Sequence, residues 1–195
     1  MNPTEVAAAL WAGFSWAKVW PWLTLLALLF FWMLGAHNRL MALRASIFTA
    51  FGGVDAVVKT RSQVVVTLLT AVTDPLQGEQ AALDAAGQAQ AAVQTALDSL
   101  RPRPADALAA VALREADAAL ASHLARLVAL VEQHADLCAD PSVAEHLQAL
   151  RELAPRWGFA RQGYNDAGAR YNAALQQFPT RLLRSVFGFG PASAL

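Results

Sequence analysis

The chain has 195 residues and a mass of 20.8 kDa; 56% of its residues are hydrophobic and only 15% are charged. Fifteen basic residues balance fifteen acidic ones, which argues against a nucleic-acid partner held by phosphate neutralisation. One cysteine, Cys138, excludes an internal disulfide framework and any CxxC zinc or redox centre, and four scattered histidines point to no metal or cofactor.

Residues 1–18 form a short N-terminal interfacial segment. Val6 to Ala17 is apolar, with Trp11, Phe14 and Trp16, but it is too short to cross a bilayer. Residues 19–36, VWPWLTLLALLFFWMLGA, carry no formal charge. Their length reaches the lower end of a membrane-spanning helix. Trp20 and Trp22 stand at one edge, where indole rings favour the headgroup region, and Trp32 lies nearer the other. Pro21 suits the first turn of a helix. A helix on the outside of a soluble domain of this size would keep a polar side for water, and this run has none. A cleaved signal peptide would carry a basic start, whereas Met1 to Ala17 has no basic residue and Glu5 is acidic. The run therefore reads as an uncleaved anchor whose partner is the lipid bilayer. Lys18 lies before it and Arg39 and Arg44 after it. That bias places the N-terminus outside and the large domain in the cytoplasm.

Residues 37–178 read as an all-α domain, an antiparallel up-down bundle of four long helices. Leu40, Leu43, Ile47, Phe51, Val54, Val58, Val65, Leu68 and Val72 step mainly by three or four, with one gap at Arg61. Asp74-Pro75 ends this helix. Gly52-Gly53 marks a bend or a close helix contact. A second helix spans Leu76 to Leu100, and Arg101-Pro102-Arg103-Pro104 is a loop. A third runs from Ala105 to about Cys138, with Leu113, Leu120 and Leu127 seven apart. Asp140-Pro141-Ser142 closes it. The fourth carries Val143, Leu147, Leu150, Trp157, Tyr164, Tyr171 and Phe178, and Pro155 inside it should kink or split it. With four alternating helices, the last returns to the membrane. Residues 179–195 then form a C-terminal tail at the bilayer. Phe187 and Phe189 would enter the interface while Arg181 and Arg184 meet anionic headgroups. The alternative is that the tail packs on the membrane-proximal end of the bundle itself.

Two segments carry a family resemblance. The first is His37-Asn-Arg-Leu-Met-Ala-Leu-Arg44, continuing through Ala50-Phe51-Gly-Gly-Val54-Asp55 to Val58-Lys59-Thr-Arg61. The second is Phe159-Ala-Arg161-Gln-Gly-Tyr164-Asn165-Asp166, then Tyr171-Asn172, Phe178-Pro179 and Phe187-Gly-Phe189. Together they resemble the LemA family, in which Tyr-Asn repeats, Phe-Pro and Phe-Gly-Phe recur. His37 and Phe51 stand where Tyr and Trp are usual, so the chain resembles a divergent member. The resemblance implies a single-span bacterial membrane protein with a long-helix bundle and no agreed catalytic residues. One branch of the family takes part in building magnetosome membranes, which implies a membrane-organising role.

Tyr164-Asn165 and Tyr171-Asn172, seven residues apart, put like residues on one face. They read as interhelix hydrogen bonds or as a recognition strip for a partner helix. Arg161 and Asp55 fall at a similar height above the membrane, which predicts an Arg161–Asp55 pair in a polar network with Lys59, Asn165 and Asn172. His123 and His134 share a helix face without further ligands, and Cys138 has no basic neighbour in sequence. No nucleophile signature or phosphate cradle is present. The sequence thus reads as a non-catalytic scaffold or adaptor at the bacterial inner membrane. Its protein partners are unidentified and include self-association. The alternative is an accessory or regulatory subunit of a membrane enzyme such as a protease.

Overall fold

The structure, a computed structural model, describes residues 16–178, 180, 181 and 188–195. It is all-α: among the described residues no strand occurs. The order is α1 (Trp16–Thr73), a 3-10 turn (Gln77–Glu79), α2 (Gln80–Leu100), α3 (Ala107–Gln133), a short α4 (Ala135–Ala139) and α5 (Pro141–Gln176).

Helix α1 has 58 residues, roughly 87 Å at about 1.5 Å per residue. It runs without a break from the apolar N-terminal segment into the bundle. It is long and apolar enough to cross a membrane, and none of its most apolar stretch is buried against protein. The helix begins before Pro21, so that proline sits in the second turn rather than the first. Thr24 lies one turn on, and its Oγ1 donates to the Trp20 and Pro21 carbonyls at 3.1 and 2.9 Å. From Leu40 onward one stripe turns inward: Leu40, Ile47, Phe51, Val54, Val58, Val65, Leu68 and Val72 are all buried. Burial of that stripe holds the β-prone Val64-Val65-Val66 run helical.

Side chains set the later boundaries. The Asp106 carboxylate accepts from the Leu108 and Ala109 amides at 3.0 and 3.1 Å and so caps α3. Asp140 accepts from the Ser142 amide at 2.8 Å, and Pro141 occupies the first turn of α5. The third helix is shorter than its sequence period suggests: extended backbone at His134 divides it into α3 and α4. Helix α5 in contrast is not split at Pro155. Pro155 is exposed there, so the hydrogen bond its ring removes falls on the wet face, where water satisfies the freed carbonyl. Gly52 and Gly53 lie on the exposed side of α1, where a β-carbon on either would meet nothing within 4 Å, so no close helix contact is made there, and the helix continues unbroken through them.

The helices pack in alternating directions. Helix α1 lies mainly against α5, and α2 mainly against α3. Antiparallel α1 and α5 meet where α1 leaves its apolar segment: the Trp32 and Phe178 rings are 5.0 Å apart and Arg39 Nη1 donates to Gln177 Oε1 at 3.2 Å. The core falls into two blocks. The block nearer the apolar segment of α1 gathers Ile47, Val54, Leu97, Leu113, Tyr164 and Tyr171. The distal block gathers Leu68, Leu76, Leu83, Leu127, Val131 and Val143.

Candidate functional site

Between the two core blocks lies a polar layer, at the level where the α1 stripe skips from Val58 to Val65. Arg61 of α1 forms an ion pair with Asp117 of α3, both side chains being 12% exposed. The other Asp117 oxygen accepts from Trp157 Nε1 of α5 at 3.0 Å. The Arg61 guanidinium lies over the Trp157 ring, 5.1 Å from its centroid. One carboxylate therefore joins three helices. On the α1–α2 side, Gln90 Nε2 donates to Ser62 Oγ at 2.6 Å, and Gln94 bonds the same hydroxyl. Asp117 stands four residues after Leu113 and three before Leu120, so it is the one charge in the leucine seam of α3. That interruption, with the gap at Arg61, is the signal by which the layer could have been read from sequence.

Asp55 is placed elsewhere. Its carboxylate accepts from Lys59 Nζ at 2.7 Å and from Arg101 Nε at 2.8 Å. Arg101 in turn pairs with Asp98. Burial pushes the Asp55 carboxyl up, but the bonds from Lys59 and Arg101 outweigh it and hold it below its usual value. The bond to Asp55 likewise raises Arg101. The expected Arg161–Asp55 pair does not form. Arg161 instead stands exposed on the rim of a 630 Å³ groove beside Arg61, Asp117, Leu147 and Trp157. The two residues share a height, but a helix at a given height presents several faces, and Asp55 faces α2.

The Tyr-Asn repeat has a different role from the interhelix network expected of it. Tyr164 and Tyr171 are buried in the core. Tyr164 Oη donates to the Pro104 carbonyl at 2.6 Å, tying α5 to the α2–α3 loop. Burial, helped by the Asp106 charge, pushes this phenol up to about 12. The two asparagines bond the C-terminal tail. Asn172 donates to the Ala192 carbonyl at 2.7 Å and accepts from the Ala192 amide at 2.9 Å. Asn165 donates to the Leu195 carbonyl at 3.2 Å and accepts from the Leu195 amide at 2.8 Å.

Residues 188–195 therefore lie on the bundle. Phe189 joins the core with Ala192 and Leu195, so of the two expectations for the tail, packing on the bundle holds here and the lipid interface does not: a ring buried against protein has little apolar face left for lipid. Trp20 and Trp22 are 62% and 67% exposed on the outer half of α1, and Arg181 is exposed just beyond α5. Arg184 and Phe187 lie outside the described residues.

The sequence model of the LemA family matches residues 50–195, about three quarters of the chain. No curated protein matches it. The matched region covers the distal part of α1, the rest of the bundle and the tail.

Proposed function

The chain belongs to the LemA family, and from that premise we propose that it is a single-pass, non-catalytic scaffold or adaptor that organises membrane-associated assemblies. The observation that carries this reading is the continuity of α1. One unbroken helix presents apolar residues on all sides over its outer half and a one-sided core stripe over its inner half. That arrangement holds a rigid bundle at a fixed distance from a bilayer. The polar groups that link the helices support the same reading. Asp117, Arg61 and Trp157 satisfy one another, as do Asp55, Lys59 and Arg101, which suits fixing helix register. The site is the inner membrane of a bacterium, with the bundle in the cytoplasm, since Arg39 and Arg44 lie just past the span.

The test is purification of the full-length protein from its native membranes in mild detergent. A scaffold or adaptor brings down partner proteins in stable ratio. Copurification of one intact membrane enzyme, whose turnover changes when this chain is removed, assigns the accessory-subunit role instead. A clean monomer without partners sinks both. A turnover activity of the pure chain, lost in Arg61→Gln at unchanged helicity, overturns the non-catalytic reading.

A further inference from the structure

The C-terminal residues are held in a way that does not depend on their being part of the same chain. Seven residues of α-helix rise about 10.5 Å, and three residues of extended backbone cover about 10 Å. Asn165 and Asn172 are seven apart on α5, and their partners Leu195 and Ala192 are three apart in the tail. The two ladders match, with the tail running antiparallel to the helix. Each asparagine grips one amide and one carbonyl of the same tail residue. Such contacts read the backbone alone, as in the addition of a strand to a sheet edge. Side-chain selection comes from the anchors. Phe189, Ala192 and Leu195 are buried, while Gly190, Pro191 and Ala194 between them are exposed. The middle anchor is small and sits over Gly168: a β-carbon on that glycine would stand 3.7 Å from that of Ala192, in ordinary van der Waals contact.

We propose that this face of α5 is a peptide-binding groove for an extended segment without charged side chains that places an aromatic, a small and an aliphatic residue at every third position, and that a second copy of this chain supplies that segment in trans. Residues 188–195 are the one ligand whose fit is visible, and every copy carries them. Anchoring by α1 holds neighbouring copies with their grooves at the same height above the bilayer, so a tail freed from one bundle meets the next without axial shift. A tethered tail sees its own groove at an effective concentration on the order of millimolar. Exchange therefore competes where copies crowd to similar density, and reciprocal exchange closes a two-fold dimer. The inference deepens the scaffold reading and rests on it only for that crowding.

The test uses full-length protein with Cys138→Ser as background. Gly168→Cys is placed on one preparation and Ala192→Cys on another; the 3.7 Å separation lies within the disulfide range. The two are reconstituted together at high density in vesicles, oxidised, and run without reductant. The expected result is a covalent dimer of the two variants at least tenfold above either variant alone. Adding Asn165→Ala and Asn172→Ala to the Gly168→Cys chain should abolish it. Dimer no greater than in the single-variant controls, with both changes on one chain linking only internally, overturns the proposal and leaves a fixed strap. Should Gly168→Cys lose helicity, a fluorescent peptide GFGPASAL replaces it, titrated against the unsubstituted protein. Saturable binding lost in Asn165→Ala/Asn172→Ala supports the groove, and no binding at millimolar peptide overturns it. Absence of partners in the native pull-down with the trans link intact would fail the scaffold reading alone.

Discussion

Leu28 and Phe31 in the outer half of α1 are 69% and 67% exposed, whereas Ile47 and Leu68 in the inner half of the same helix are fully buried. The residue types are alike; the surroundings are opposite. The outer half is apolar on every face, so no rotation of the helix gives water a polar side. The inner half buries one stripe and mixes Thr49, Lys59, Thr60 and Thr67 with a few exposed apolar residues such as Phe48 and Val66 on its outer faces. One backbone thus serves a protein core over one half and, on the proposed reading, lipid over the other, and the distribution of polar residues around the axis tells the two halves apart.

The sharpest way to break this comparison is to make one substitution in both halves. Leu68→Asp puts an unpaired carboxylate into the distal core and is expected to cost at least about 4 kcal/mol, enough to unfold the bundle. Leu26→Asp should instead cost about 2.5–3.5 kcal/mol of membrane insertion and leave the melting of the bundle unchanged. Membrane fractionation and circular-dichroism melts separate the two; equal loss of melting temperature would mean that the outer half belongs to a protein core.

Asp117→Ala comes next, at about 3–5 kcal/mol of bundle stability, because Arg61 is left as a nearly buried, unpaired charge. Replacing the pair together, Arg61→Met with Asp117→Leu, should recover most of that loss if the layer serves register rather than stability. Chemical denaturation of each variant decides it.

Tyr164→Phe should cost about 1–2 kcal/mol by leaving the Pro104 carbonyl unpaired. The same phenol sets an alkaline limit. Its value in the fold is about 12 against an ordinary 10.0, so the folded state holds the proton more tightly. The contribution is complete below pH 10 and is lost as pH rises toward 12, about 2–3 kcal/mol in all. Melts of the wild type should show this slope, and melts of Tyr164→Phe should lack it.

Smallest is Lys59→Ala, at about 0.3–0.5 kcal/mol for an exposed pair one turn apart. Asp55 is held below its usual value, so its contribution is present at neutral pH and fades as pH falls through its folded value. Added salt should erase the Lys59→Ala difference.

Most of the fold was legible because its signals are local. The stripe from Leu40 to Val72, the Asp74-Pro75 stop, the Arg101–Pro104 loop and the Asp140-Pro141 start each depend on a few adjacent residues. The site was less legible because it depends on azimuth. Helical rise placed Asp55 and Arg161 at one height but could not say which neighbour each face meets, and Arg101 took the place assigned to Arg161. Pro155 misled for a related reason: the damage a proline does depends on which side of the helix it falls. Composition alone left the tail open between a lipid surface, suited to its arginines and aromatics, and the end of the bundle, where residues 188–195 lie. Its true pattern is positional, Phe189, Ala192 and Leu195 at every third residue, and it becomes visible only beside the sevenfold spacing of Asn165 and Asn172.

The unbroken passage of α1 from the apolar segment into the bundle also makes it a lever. Spanning helices tilt by about 20° on average, and more when their apolar length exceeds the thickness of the bilayer. Residues 37–73 extend about 55 Å past the span. With no hinge between the two halves, a tilt of about 20° carries the distal end of the bundle about 19 Å sideways. On the proposed single-span reading, bilayer thickness at the base is thereby converted into position at the tip.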